Sequence, residues 1–141
     1  CVYADGRPIG NFIVDPNGEI NVGAEYSVVI AGLNYYSIYE SFPIVGGTQY
    51  GPTQTQKAQI TDVRLDFFET LGANLGTSLT ESSEIVFSED DFAAQLDPWT
   101  GPKVVSFPRG TSRSPTIFIW NWQPTPTCIR AIYPTLEVFF P

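Results

Sequence analysis

The sequence contains no histidine. That absence removes Ser-His-Asp and Cys-His catalysis, an imidazole general base and every His-ligated metal centre. Cysteine is almost absent too, with only Cys1 and Cys128. Two thiols cannot staple a disulfide scaffold. They can pair if the first strand lies beside the one starting at Cys128; otherwise they are two small buried hydrophobes. Cys128 has no activating neighbour in sequence and reads as structural. No glycine-rich phosphate loop is present. No apolar run approaches the roughly 18 residues of a membrane helix. Methionine is also missing, so a processed chain or a fragment of a larger protein is expected. A lipidated Cys1 would call for a flexible tether, whereas Cys1-Val2-Tyr3 already reads as strand.

Basic residues are scarce. Seven Lys and Arg face fifteen Asp and Glu, giving a net charge of −8. Such a chain repels phosphates on average, which disfavours binding to nucleic acid or anionic membranes. The same charge suits a channel wall that DNA slides past.

What is present is apolar and aromatic. Hydrophobic residues make up 43% and charged residues 16% of 141 residues, a globular composition with length for one domain. Three Trp, seven Tyr and ten Phe favour β-structure and buried contact surfaces. Twelve Gly and twelve Pro punctuate short apolar runs along the whole length, as in antiparallel β-proteins.

Read in order, strands are expected at 1–4, 11–14 and 19–22. Asp5-Gly6 and Asp15-Pro16-Asn17-Gly18 are the turns between them. The second turn resembles the start of a calcium loop but lacks its alternating acids and terminal Glu. Residues 26–33 form a longer strand, apolar enough to be covered on both faces. A strand at 38–42 ends at Pro43, and 46–59 reads as a long polar loop. Residues 60–68 alternate most clearly: Val63, Leu65 and Phe67 face a core, and Asp62, Arg64 and Asp66 face away. Turns are expected at 71–76 and 98–102, a helical turn at 89–96 capped by Ser88, and a loop at 108–115. Strands follow at 104–107, 115–122, 128–133 and 136–140.

Two clusters are candidate sites. Glu81, Glu84, Glu89, Asp90 and Asp91 lie in an acidic segment reaching Asp97. It could hold a divalent ion; as a solvated or lumen-facing loop it needs no ligand. A glycosidase carboxylate pair has no support in the spacing. The second cluster is aromatic: Phe118, Trp120, Trp122, Tyr35 and Tyr36. In 117–122 both strand faces are apolar, so the strand is central or meets another chain. Sugar stacking is the alternative, but alternate faces of one strand cannot all reach one ligand.

Ala31-Gly32-Leu33-Asn34-Tyr35 followed by Phe42-Pro43-Ile44 resembles a segment of podovirus tail nozzle proteins (tail tubular protein B), where a Val-Gly-Leu-Pro-Tyr-like box precedes a Leu/Phe-Pro step. Ala4-Asp5-Gly6 resembles that family's opening hairpin, Asn17-Gly18-Glu19-Ile20 its Gly-x-Ile/Val element, and residues 57–68 its basic-then-alternating strand. Thr70-Leu71-Gly72 resembles its Thr-x-Gly turn, and 132–138 its final strand. Asn34 stands where the family often has Pro, and Ala31 where it often has Val. The resemblance spans nearly the whole chain as an ordered set of weak motifs.

The resemblance implies a structural component of a short phage tail, assembled in the host cytoplasm. It implies a homo-oligomeric six-fold ring around the DNA ejection channel, docked on a tail adaptor, supporting fibre proteins and letting DNA pass without specific binding. It carries over no catalytic residue and no cofactor. The expected fold is all-β, an antiparallel sandwich or barrel-like domain over 1–141 with long loops and little helix, part of a larger tail protein. The alternative function is a receptor- or glycan-binding β-sandwich module of a phage fibre or cell-surface protein.

Overall fold

A computed structural model describes residues 1–5, 7–48, 51–52, 56–87, 97–108 and 110–139. Among them the chain is all-β and without helix. The strands are β1 (Val2–Ala4), β2 (Arg7–Gly10), β3 (Val29–Ala31), β4 (Ser37–Glu40), β5 (Gly47–Thr48), β6 (Gly51–Pro52) and β7 (Lys57–Thr70). They continue with β8 (Asn74–Gly76), β9 (Ser82–Glu84), β10 (Trp99–Ser106), β11 (Thr111–Ser112), β12 (Phe118–Asn121) and β13 (Ile129–Phe139). Every pairing is antiparallel.

β7 is the spine. Its alternation of apolar and charged residues buries Val63, Leu65 and Phe67 completely, as their spacing requires. The alternation changes phase at Thr61, since Ala58 and Ile60 are buried on the other side of it. Pairing with β13 explains this: Asp62 faces Thr135 and Ile60 faces Leu136, so Thr61 is the unpaired residue of a bulge. A second break lies at Glu69, whose φ of 44° turns Thr70 inward. β13 covers one edge of β7, while β10 and β11 share the other.

The second sheet runs β4-β12-β8-β9. Leu75 and Ile119 from it meet Val63, Leu65 and Phe67 in one core, joined by Ile85, Phe107 and Ile117. Two sheets on a shared core make this a β-sandwich. Phe87 closes one side, edge-on to Phe67 with centroids 5.0 Å apart. Burying each such side chain contributes about 1.5–3 kcal/mol. A small sheet, β2-β1-β3, and the β5–β6 hairpin complete the described strands.

Several expected boundaries move. The return from β1 starts at Arg7, not at 11, because Asp5 (φ 46°) already reverses the chain. Residues 11–14 and 19–22 form no strand. The turn at 15–18 does form: Gly18 donates to the Asp15 carbonyl at 3.0 Å, and the Asp15 carboxylate accepts from the amides of Asn17 and Glu19. Of 26–33 only β3 is strand. The polar stretch 46–59 contains β5, β6 and the start of β7. The expected turn at 71–76 contains β8. The expected turn at 98–102 is the first half of β10, where an edge position tolerates Pro102 and Gly101 (φ 133°). The loop at 108–115 pairs briefly as β11. The two closing strands are one, β13, with Pro134 inside an edge strand. Cys1 and Cys128 are free; β1 and β13 lie in different sheets, and Cys128 is exposed rather than buried. The helical turn 89–96 and its Ser88 cap lie outside the described residues.

The tightest backbone approach is at Gly76. A Cβ there would stand 2.0 Å from the Glu81 carbonyl oxygen and 2.5 Å from Ser82 Cα, both backbone atoms. Gly76→Ala is therefore expected to destabilise the protein by about 1–3 kcal/mol. Gly110→Ala, with nothing within 4 Å, should stay within about 0.5 kcal/mol of the parent. Urea unfolding of the two variants checks the contrast.

Candidate interaction surface

The expected aromatic cluster comes together only in part. β12 alternates: Ile119 and Asn121 are buried, while Phe118 and Trp120 are half-buried on the other face. β12 is central, between β4 and β8. Trp120 stacks obliquely on Tyr36, with centroids 5.8 Å apart and planes at 41°. Its indole N–H donates to Ser82 Oγ at 2.9 Å. Trp122 is half-buried just beyond the strand, and Tyr35 is 75% exposed. Two tilted rings, one of them anchored, do not make a flat sugar-stacking platform.

Asn121 organises the loop that follows. Its Nδ2 donates to the Thr125 carbonyl, Thr125 Oγ1 and Thr127 Oγ1 at 3.1, 2.9 and 2.8 Å. Its Oδ1 accepts from the Gln123 amide at 3.0 Å. The Thr127 hydroxyl donates to the Gly72 carbonyl. Buried Thr70 donates to the Cys128 carbonyl and accepts from the Cys128 amide, each at 3.0 Å. These bonds pin 121–128 to the end of β7. Beside them a cleft of about 510 Å³ separates the β4 edge from β13, lined by Tyr39, Ile119, Asn121, Ile129 and Ile132 among others.

The most conspicuous surface is one that the sequence pattern placed inside. Residues 26–33 were expected to be covered on both faces, but Val28, Val29 and Ile30 are about half exposed. The exposure continues through Leu33 (94%), Tyr36, Ile38, Tyr39 and Phe42 (92%). Within the described residues nothing covers this stretch. Single exposed apolar residues are ordinary; a contiguous series is not. The signal available in sequence was the lack of any charge or proline between 26 and 39. An uninterrupted apolar run such as 26–33 carries the pattern of a covered strand whether or not anything within the chain covers it.

Among the described residues the acidic candidates form no cluster that could hold a metal ion. Glu81 is spent locally, its carboxylate accepting from Thr77 Oγ1 at 2.9 Å and its carbonyl from the Thr77 amide at 2.9 Å. Glu84 is exposed on β9. Glu89, Asp90 and Asp91 lie outside the described residues. Among the described residues three polar side-chain atoms are buried without a hydrogen-bond partner: the Tyr3 hydroxyl and Arg7 Nε in the β1–β2 hairpin, and Gln56 Oε1 just before β7. Burial pushes the Tyr3 hydroxyl above its ordinary value.

Fold and surface together define a β-sandwich with an uncovered apolar flank. No protein-family model matches the chain, and no curated protein matches it.

Asn121→Ala removes the four hydrogen bonds that Asn121 makes to the 122–127 loop and leaves the Gln123 amide without its acceptor, while the bonds from Thr127 to Gly72 and from Leu71 to Pro126 remain. It is expected to cost about 1–3 kcal/mol. It should also speed proteolytic cleavage within 122–127, which mass mapping of the fragments would show.

Proposed function

We propose that the chain is a structural assembly domain of a phage tail nozzle, working by contacts between copies rather than by catalysis. The observation that supports this reading is the exposed apolar stretch from Val28 to Phe42. Nine large apolar side chains there are about half exposed or more, divided between the edges of two sheets. The resemblance of its ordered, weak motifs to those of tail nozzle proteins implies the particular assembly: a ring around a DNA channel, docked on an adaptor and carrying fibres. A net charge of −8 suits a wall that does not retain DNA. The tilted Tyr36–Trp120 pair supports the glycan-binding alternative poorly.

The test is the native mass of the particle that contains this chain, by light scattering and cryo-microscopy. The expected result is a closed ring of identical subunits. A monomer that binds a glycan array, and loses that binding on Trp120→Ala, would replace this reading with the binding module.

A further inference from the structure

The chain holds six asparagines: Asn11, Asn17, Asn21, Asn34, Asn74 and Asn121. Five of them are engaged through the side chain. Asn34 Nδ2 donates to Asn11 Oδ1 at 2.8 Å, and Asn21 Oδ1 accepts from the Gly23 amide at 2.9 Å. Asn74 Nδ2 donates to the Trp120 carbonyl at 3.4 Å, and Asn121 makes the bonds given above. The residues that follow these five are Phe12, Val22, Tyr35, Leu75 and Trp122, all with bulky or branched side chains. Asn17 differs on both counts. Its backbone amide donates to Asp15, but its side chain makes no hydrogen bond among the described residues. The residue that follows it is Gly18.

Asn17 stands in a turn whose residues are exposed from Ile13 to Glu19. Gly18 has φ +86°, and a Cβ built there would meet nothing within 4 Å. Its nitrogen is therefore shielded neither by a side chain of its own nor by a neighbour. The Gly18 amide donates to the Asp15 carbonyl at 3.0 Å, and this bond must open before the nitrogen can turn toward the Asn17 side chain. Opening is cheap here. The flanking segments 11–14 and 19–22 form no strand, and the bonds that close the turn join Asp15 to Asn17, Gly18 and Glu19, all exposed to solvent.

We propose that Asn17–Gly18 is a site of spontaneous deamidation and isomerisation. The Gly18 nitrogen gives up its proton to hydroxide and attacks Asn17 Cγ. A C–N bond forms, the bond from Cγ to Nδ2 breaks, and Nδ2 leaves as ammonia, closing a succinimide ring. Water then adds to either ring carbonyl. Opening at one restores the backbone with aspartate at the position; opening at the other leaves isoaspartate, with the backbone routed through Cβ and Cγ. Water is the co-reactant, and nothing is oxidised or reduced. Either product adds a negative charge to a chain already at −8, between the like charges of Asp15 and Glu19. Isoaspartate also lengthens the backbone inside a turn whose ends are joined by the Asp15 amide and Glu19 carbonyl at 2.9 Å, so that turn must re-form. This chemistry is independent of whether copies assemble.

The experiment is incubation of the folded chain at neutral pH and physiological temperature, with peptide fragmentation by mass spectrometry at intervals. The expected result is amide-to-acid conversion at Asn17 roughly tenfold or more faster than at any other asparagine, since each of the others must first give up a side-chain hydrogen bond. Aspartate and isoaspartate should both appear. Asn17→Gln should abolish the conversion, because the larger ring it requires closes far more slowly. Its unfolding midpoint should match the parent's, as the Asn17 side chain is exposed and holds nothing. The same chain unfolded in urea gives the unrestrained rate. Conversion of Asn17 in urea but not in the folded chain would mean that the bond from Gly18 to Asp15 protects the site, and would overturn the proposal. Conversion in neither, conversion led by another asparagine, or aspartate without isoaspartate (the mark of direct hydrolysis) would overturn it as well.

Discussion

Val63, Leu65 and Phe67 alternate with charged residues, and that alternation fixes which side of β7 must be kept dry. Both long neighbours, β10 and β13, take their register from it. The second sheet lies over it through Leu75 and Ile119. The bulge at Thr61 and the turn at Glu69 set how far this arrangement extends. Among the described residues, charged side chains on the opposite face form one surface ion pair, Arg130 with Asp66 at 2.8 Å, partly exposed and of small energetic value. Burial, not charge, holds the sandwich together.

The same constraint explains the reach of the sequence reading. Alternation over 60–68 is a local signal, and the strand appeared there. Proline and glycine near a strand are ambiguous signals, because an edge strand accepts what a central one rejects. Hence Pro98–Pro102 and Pro134 read as breaks, yet lie next to or inside β10 and β13. The short strands β8, β9 and β11 have no pattern of their own and exist because longer strands offer them partners. In the aromatic cluster, alternation along β12 was legible, while the Tyr36–Trp120 contact depends on the cross-strand register of β4. Tyr35 and Tyr36 proved exposed; Phe118, Trp120 and Trp122 only partly so.

The stretch 26–39 carries neither charge nor proline, and the first charge after it, Glu40, ends β4. Asp5 fixes one end of that stretch: its carboxylate accepts from the Ser27 and Val28 amides at 3.0 and 2.7 Å. The stretch is thus held in place, not merely left loose on the surface.

The pairing of β7 with β13 also has a consequence in time. Phe67 and Ile129 are register partners far apart in the chain. On a ribosome adding about 5–20 residues per second, β7 emerges several seconds before the strand that completes its sheet. During that interval its most extensively paired edge is open. A topology of long-range pairings also folds slowly after release. Newborn chains therefore carry β7 with an unpaired edge until the C-terminal strand arrives, the kind of exposure that makes nascent β-proteins prone to aggregate.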